Sequence, residues 1–288
     1  MPKKKAQSES PDSGDVESIE EPDSPGSTYA AIIAQIFRRR YRKGAEEFVF
    51  DRDEIEEAAS SAGVKKPKNL GDVVYSFRYR RALPHSILKT QPKDRSWLIL
   101  GAGDAKYRFR LAKLAHIKPT VGLMVRKIPD ATPEIISQYA RKEEQALLAK
   151  IRYNRLVDIF LGIATYSLQN HLRTKVANYG QIEIDELYVG VDTYGVHYVV
   201  PVQAKAGRDF LGVIQSIQDA AFCASEPLYS SCVCRPVSAQ FLDENTIALF
   251  ETVFDGNEVS IKQEKHYRLA AAKEISNEDL KRYRQNEV

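Results

Sequence analysis

The chain has 288 residues, of which 43% are hydrophobic and 28% charged, a composition that excludes a wholly disordered or fibrous protein. The formal net charge is only +3, so overall charge gives weak support for a polyanionic partner. No apolar run reaches the roughly 18–20 residues that span a bilayer, and the N-terminus lacks the apolar region of a signal peptide. We therefore expect a soluble, cytoplasmic protein with no membrane partner.

The N-terminal segment, residues 1–27, is rich in Ser, Pro, Asp and Glu and has almost no large apolar side chains. Such a segment buries too little apolar surface to offset its chain entropy. We therefore predict a disordered tail over these residues.

Three short helices are predicted next. Apolar residues at helical spacing predict the first over residues 28–43. Asp51 precedes a second helix that stops at Gly63, and Asn69 can cap a third that ends with the basic run up to Arg81.

A β-hairpin is predicted after the helices, because apolar runs over residues 96–101 and 106–111 flank a turn that contains Gly103. Three helices followed by a two-stranded wing is the order of a winged helix-turn-helix domain, whose third helix enters the major groove of DNA. We therefore predict a winged-helix-like DNA-binding domain over residues 28–112. The alternative is a small helical domain that contacts only the C-terminal half of the chain.

Basic residues cluster in this first third of the chain, in the local footprint that is typical of nucleic-acid binders. We expect three of them, Arg78, Arg80 and Arg81, to bind double-stranded DNA. The alternative is that the clusters are solvated helix faces whose long side chains cover apolar surface. The remaining members are Arg38, Arg39, Arg40, Arg42, Lys43, Lys65, Lys66 and Lys68.

The rest of the chain is predicted to form a connector over residues 113–132, a second domain over residues 133–272 and a polar tail over residues 273–288. Helical spacing predicts helices over residues 133–150 and 152–176, the second closed by Gly180. After Gly180 the pattern of apolar residues changes from helical spacing to that of extended strands, which predicts a mixed α/β (α+β) domain. Its further elements are strands at 181–192 and 197–205, a helix at 210–223 and strands near 232–241, 246–254 and 259–267.

The three cysteines, Cys223, Cys232 and Cys234, have neither the count nor the spacing of a disulfide framework or a zinc site. We therefore predict reduced thiols that belong to the core.

The hairpin over residues 181–205 carries side chains that suit a metal-dependent hydrolase. A turn centred on Tyr194 sets Asp185 opposite Gln203, and Lys205 lies two residues further on the same strand face. Carboxylate and amide oxygens are ligands of Mg²⁺, and a nearby ammonium offsets charge on a phosphate. A register shift of one residue would present Glu186 or Ile184 instead. A cross-strand ion pair between Asp185 and Lys205 is the alternative.

This pattern resembles the PD-(D/E)xK nuclease superfamily, which includes many restriction endonucleases and Holliday-junction resolvases. Asp185 is followed 18 residues later by Gln203-Ala204-Lys205 at the end of an apolar strand, and the resemblance covers about residues 140–270. It implies a restriction-endonuclease-like mixed sheet flanked by helices. It also implies that Asp185 binds the metal, Lys205 is catalytic and Gln203 holds the second acidic position.

Gln203 departs from the acid of that motif, and a neutral amide is a weaker ligand for Mg²⁺ (or Mn²⁺) than a carboxylate. A neighbouring acid must then complete the metal site, and Glu183 and Glu186 on the same strand are candidates. The resemblance also implies an acid on the preceding helix. The candidates there are Glu143, Glu144 and Asp158. Asp158 is favoured because it lies among apolar residues, and the alternative is a helix-surface acid paired with Arg155 or Lys150.

Further polar residues are candidates for DNA contacts because their side chains hydrogen-bond to base edges and phosphates. Gln169, Asn170 and Arg173 could line a DNA cleft or form the wet end of a core helix. His171 is treated as a surface histidine. Arg208 could reach a phosphate beside the backbone of residues 207–209, and Gln215 and Gln218 are weaker candidates.

Together these features predict a metal-dependent DNA endonuclease, of the restriction or defence type, with Mg²⁺ as cofactor and possible homodimerisation. A recombination or repair nuclease fits nearly as well. One rival is a catalytically inactive DNA-binding protein with a nuclease-like fold. Another is an interaction module whose basic helices meet an acidic partner.

Overall fold

The computed structural model describes residues 25–139, 144–206, 211–255 and 258–285. Within them the chain is a mixed α+β protein, in which a large mixed sheet is flanked by helices. Residues 1–24 of the predicted tail lie outside the described residues, and helix α1 begins at Pro25. Among the described helices, none has the length and apolar character needed to cross a membrane.

The N-terminal part packs helices against a three-stranded antiparallel sheet of order β1-β3-β2. The three predicted helices and the predicted hairpin are confirmed. Strand β1 and the short helix α4 were not predicted, since β1 pairs only with the distant β3. The elements are α1 Pro25–Arg40, β1 Glu47–Asp51, α2 Glu54–Ser61, α3 Leu70–Tyr79, α4 His85–Leu88, β2 Ser96–Gly101 and β3 Lys106–Ala112.

The C-terminal part is built on an eight-stranded sheet of order β5-β13-β12-β11-β8-β7-β6, with β10 also paired to β8. The β13–β5, β11–β8 and β10–β8 pairs are parallel and the others antiparallel. The elements are β4 His116–Ile117, β5 Val125–Pro129, α5 Glu134–Tyr139, α6 Glu144–Tyr153, α7 Leu156–Leu161, β6 Ala164–Val176, β7 Gly180–Val191, β8 His197–Lys205, β9 Leu211–Gly212, α8 Val213–Ser225, β10 Val233–Cys234, β11 Val237–Phe241, β12 Thr246–Asp255, β13 Glu258–Ala270 and α9 Asn277–Gln285.

The prediction of a helix over residues 152–176 is wrong, because α7 ends at Leu161 and the chain then forms β6. Gly162 ends the helix at φ +70°, a conformation that costs glycine little. Pairing with β7 over almost the whole of β6 supplies the backbone hydrogen bonds that the periodicity had assigned to a helix. Gly180 is therefore the first residue of β7 and not a helix cap.

The predicted connector over residues 113–132 is also wrong in part, because β5 runs through it and forms an edge of the large sheet beside β13. The predicted helix at 133–150 is represented by α5 and the first part of α6. Residues 140–143 between them lie outside the described residues. The predicted core role of the cysteines is confirmed for Cys223, which is buried. Cys232 and Cys234 pack against the same cluster while partly exposed.

Helices cover both faces of the large sheet, so most of β8 is buried on two sides. Val200 and Val202 face α6 and α7, while Val199 shares a cluster with Phe222 of α8. A strand buried on both faces reads as a continuous apolar run, which explains the sequence of β8.

The two parts share a core at β2. Trp97 and Ile99 face the N-terminal helices, whereas Leu98 and Leu100 pack against α8 and β12. A Cβ atom on Gly101 would lie 2.4 Å from the backbone oxygen of Tyr179, so the strand touches the β6–β7 turn there. The Tyr79 hydroxyl also donates to Gln218 Oε1 at 3.0 Å. These contacts hold α3 beside the β6–β7 hairpin.

Candidate functional site

The centre of the site is the point where β7 leaves β8. The two strands pair from Glu186/Val202 to Val191/His197, which is the register that the sequence predicted. Beyond Glu186 the backbone pairing of β7 with β8 ends. There the Asp185 side chain contacts β8 instead, and its Oδ2 accepts a hydrogen bond of 2.8 Å from the backbone N–H of Ala204. The carboxylate therefore satisfies a donor that would otherwise need a ladder partner.

Two further side chains gather at Asp185. His171 on β6 and Glu183 on β7 each place a potential ligand atom within 4.8 Å of the others and of an Asp185 oxygen. His171 has φ +48°, which is unusual for a residue with a Cβ and signals an irregularity in β6 at this point. We call His171, Glu183 and Asp185 the hairpin cluster.

The hairpin cluster has donors that fit a divalent cation. Two carboxylates and an imidazole suit Mn²⁺ and related ions, while Mg²⁺ favours oxygen ligands. His171 Nε2 lies 2.7 Å from the Gln145 amide nitrogen and its Nδ1 lies 3.6 Å from Glu183 Oε1. Rotation of the Gln145 amide would let Nε2 donate and leave the Nδ1 lone pair for a cation.

Lys205 and an acid from α6 complete the site. Lys205 Nζ contacts Glu144 Oε1 at 2.6 Å, and its side chain is only 20% exposed. Glu144 is one of the helix acids expected from the sequence, and its charge acts on Asp185 together with that of Lys205. The structure therefore brings Asp185, Glu183, Glu144 and Lys205 together.

Burial dominates the electrostatics of Asp185. Desolvation raises the pKa of this carboxyl, and the Ala204 N–H and the Lys205 ammonium oppose that rise without cancelling it. The ionised form therefore costs stability in the metal-free protein, and a bound cation would offset this cost.

An Asp185→Asn substitution should stabilise the metal-free protein at neutral pH. A raised pKa in the folded state means that stability is highest below the unfolded pKa and falls as pH rises through the folded value. The neutral amide removes this loss and still accepts from Ala204. We expect the free energy of unfolding to rise by about 1 kcal/mol, which corresponds to an increase of about 2–4 °C in melting temperature for a large domain. Calorimetry in EDTA checks this, and a fall in melting temperature would contradict it.

Gln203 lies where the PD-(D/E)xK motif has a metal-binding acid, but its side chain makes structural hydrogen bonds. Its amide nitrogen donates to the Glu183 backbone oxygen at 3.0 Å and to Asp219 Oδ1 at 2.8 Å. Its oxygen accepts from Gln215 at 2.9 Å. Because both ends of the amide have partners, Gln203 fixes β7 and α8 and offers little to a cation.

Asp219 was missed by the sequence analysis. It is 1% exposed on α8, and burial raises the pKa of its carboxyl well above the usual range. The available signal was an acid inside the apolar helix around Ile217 and Phe222, where an unpaired charge is costly. His171 was also missed as a member of the site, because β6 had been predicted as a helix.

Two predicted metal ligands lie elsewhere. Glu186 is fully buried and binds Arg152 Nε at 2.8 Å and the Ser167 hydroxyl. Asp158 accepts from the backbone and side chain of Thr165 and from Arg155. Thr165 pairs with Gly190, five residues along β7 from Asp185, or about 17 Å at the usual strand rise. Neither acid joins the hairpin cluster.

The predicted DNA contacts are divided between several places. Gln169, Asn170 and Arg173 lie on β6, where Asn170 accepts from Arg152 and Arg173 contacts Glu183 at 3.1 Å. Arg80 is exposed and stacks 4.9 Å above Tyr75, and Arg81 is also exposed. Arg208 and Glu143 lie outside the described residues. Gln215 and Gln218 belong to the contacts between α8, Gln203 and Tyr79.

Part of the basic footprint is structural. Arg40 forms a bidentate contact with Glu54, and Arg39 reaches Glu57 at 3.3 Å. These two side chains therefore join α1 to acids of α2, a pairing that the sequence analysis did not predict.

The site thus contains a buried carboxylate (Asp185), a second acid (Glu183) and an imidazole (His171) beside Lys205, which contacts Glu144 of α6. Comparison with known proteins adds nothing to this set, since no protein-family model, curated protein or solved structure matches the chain.

Proposed function

We propose that the protein is a metal-dependent nuclease that hydrolyses phosphodiester bonds in DNA. The observation that carries the proposal is the convergence of Asp185, Glu183, Lys205 and Glu144 where β7 leaves β8. A buried carboxylate beside a lysine, on a mixed sheet flanked by helices, is what the PD-(D/E)xK resemblance implies. The element order of the N-terminal part, with Arg78 in the last turn of α3 and Arg80 and Arg81 directly after it, is typical of winged-helix DNA-binding domains and supports DNA as the substrate.

The side chains have distinct roles in this proposal. Asp185, Glu183 and His171 would hold Mg²⁺ or Mn²⁺, which when bound supplies Lewis-acid stabilisation of phosphate charge and lowers the pKa of water. Lys205, oriented by Glu144, offsets the charge that develops on the phosphate and orients the attacking water. Ala204 fixes the orientation of the Asp185 carboxylate through its N–H. No covalent intermediate with the protein is needed.

A plasmid-cleavage assay tests this function. Purified full-length protein should convert supercoiled DNA to cut forms in Mg²⁺ or Mn²⁺ but not in EDTA. An Asp185→Ala variant should be inactive, whereas Asp94→Ala, which removes an exposed carboxylate, should cleave like the wild type. Nicked circles would indicate single cuts, and linear product would support two sites acting together in a homodimer. No cleavage of duplex or single-stranded DNA in either metal would refute the nuclease.

The second candidate function is DNA binding without cleavage. It is favoured by one observation, the commitment of the Gln203 amide to Asp219, Glu183 and Gln215. Duplex binding that persists while every cleavage assay is negative would identify this function.

A further inference from the structure

A groove of about 650 Å³ lies between α3, the β2–β3 turn and the β6–β7 turn. We call it the α3–hairpin groove. It is lined by side chains from both parts of the chain, so its shape depends on the contacts of Gly101 with Tyr179 and of Tyr79 with Gln218. Two carboxylates, Asp72 and Asp104, are outnumbered among its lining residues by basic and aromatic side chains, which are Tyr75, Arg78, Lys106, Arg173, Lys175 and Tyr179.

Arg78 is the distinctive member of this groove. Its Nε and Nη2 atoms are buried without a hydrogen-bond partner among the described residues, and its guanidinium lies 5.0 Å from the centre of the Tyr79 ring. A buried guanidinium N–H without an acceptor is costly. Arg39 and Arg40, by contrast, have carboxylate partners. These two atoms are closed to solvent, but Arg78 lines the groove and its side chain is partly exposed, so its positive charge favours an anion that enters the groove.

Three other cations surround this position. Lys106, Arg173 and Lys175 contact Asp51, Glu183 and Asp104, but their side chains are 56%, 66% and 66% exposed. Exposed pairs of this kind are weak and can be exchanged for a stronger anion. Phosphate is such an anion, because it accepts several hydrogen bonds from arginine and lysine at once.

The groove is continuous with the hairpin cluster. Arg173 lines the groove and contacts Glu183 of the cluster at 3.1 Å. Lys175 lies four residues from His171 along β6, or about 13 Å at the usual strand rise. That distance corresponds to about four nucleotide steps along one strand of a duplex.

We propose that the α3–hairpin groove binds the phosphate backbone of duplex DNA beside the cleavage position, with Arg78 as its central ligand. This proposal rests on the proposed nuclease function. It assigns α3 a second task, since Arg78 lies in the groove while Arg80 and Arg81 follow the end of the helix and are exposed. DNA held between the two parts would meet α3 and the hairpin cluster at the same time.

Duplex binding by the full chain in EDTA, where the metal is removed, tests the groove separately from cleavage. Anisotropy of a labelled duplex would be measured from about 50 to 200 mM NaCl. Arg78→Gln should weaken binding about tenfold and reduce the salt slope by about one. Arg284→Gln, an exposed arginine of α9 at the opposite edge of the sheet, should bind within about twofold of wild type. Equal affinities of these two variants would overturn the proposal.

Lys175→Gln provides a second variant in case Arg78→Gln fails to fold. Its exposed side chain can be changed without loss of core contacts, and binding should weaken about threefold. Wild-type affinity in a folded Lys175→Gln protein, when Arg78→Gln is unfolded, would count against the groove. Displacement of the duplex by a mononucleotide or by polyglutamate at matched charge would also overturn it, because the occupant would then be a free nucleotide or an acidic protein.

The two proposals can fail separately. If the protein is no nuclease, cleavage is absent in Mg²⁺ and Mn²⁺ while binding in EDTA still depends on Arg78. If the groove is not a DNA site, Arg78→Gln binds and cleaves DNA like the wild type.

Discussion

Replacing Lys205 with alanine should lower the rate of DNA cleavage by about 10²–10³-fold, the loss typical of removing one preorganised stabilising group. Lys205 Nζ is held by Glu144 and is mostly shielded from solvent, so its charge acts in a medium that screens it poorly. Its loss also removes an opposing influence on the raised pKa of Asp185. Single-turnover cleavage at saturating Mn²⁺ isolates the effect on the chemical step from weaker metal binding.

The matched control is Lys281→Ala, which removes an exposed lysine from α9. It should cleave at the wild-type rate, and Lys205→Ala should bind duplex DNA within about threefold of wild type. Cleavage by Lys205→Ala at the wild-type rate would exclude the lysine from the chemistry. Parallel loss of binding and cleavage would indicate a damaged fold, which a melting curve would reveal.

The local part of the site could be predicted from the sequence. A turn centred on Tyr194 predicts the register that pairs Glu186 with Val202, and the structure has this register. Side chains alternate between the two faces of a strand, so the sequence itself tells which of them share a face. A register shift of one residue would have moved every side chain of the strand to the other face. The predicted approach of Asp185 to the end of β8 followed from this register.

The rest of the site depends on contacts between distant segments. His171 joins Glu183 and Asp185 because β6 pairs with β7, and the apolar spacing of residues 152–176 had favoured a helix. Asp219 reaches Gln203 only because α8 crosses the same sheet face. The pairing of β6 with β7 decided the structure of residues 164–176, because a short apolar pattern of this kind fits a helix and a strand alike. Glu144 could be named as a candidate, but choosing it over Asp158 required the fold.

Gln203→Glu should destabilise the protein without improving cleavage. The motif would predict the opposite, because a carboxylate at this position is a better metal ligand than an amide. The Gln203 side chain is 1% exposed, however, and donates to Asp219 Oδ1 and to the Glu183 backbone oxygen. The introduced carboxylate would face two acceptors and would have to share a proton with Asp219. We expect a loss of about 2–3 kcal/mol in the free energy of unfolding.

A second substitution separates this explanation from simple steric damage. Asp219→Asn in the Gln203→Glu background exchanges the amide and the carboxylate between two positions that are in contact. The introduced amide can donate to the introduced carboxylate, so the double variant should recover most of the stability that Gln203→Glu loses. In a double-mutant cycle this recovery appears as a coupling energy between positions 203 and 219. Urea unfolding in EDTA measures all four proteins, and Gln181→Glu, which is exposed on β7, should stay within about 0.5 kcal/mol. If Gln203→Glu alone proved more stable and more active, position 203 would face the metal, and the amide contacts with Asp219 would have no role.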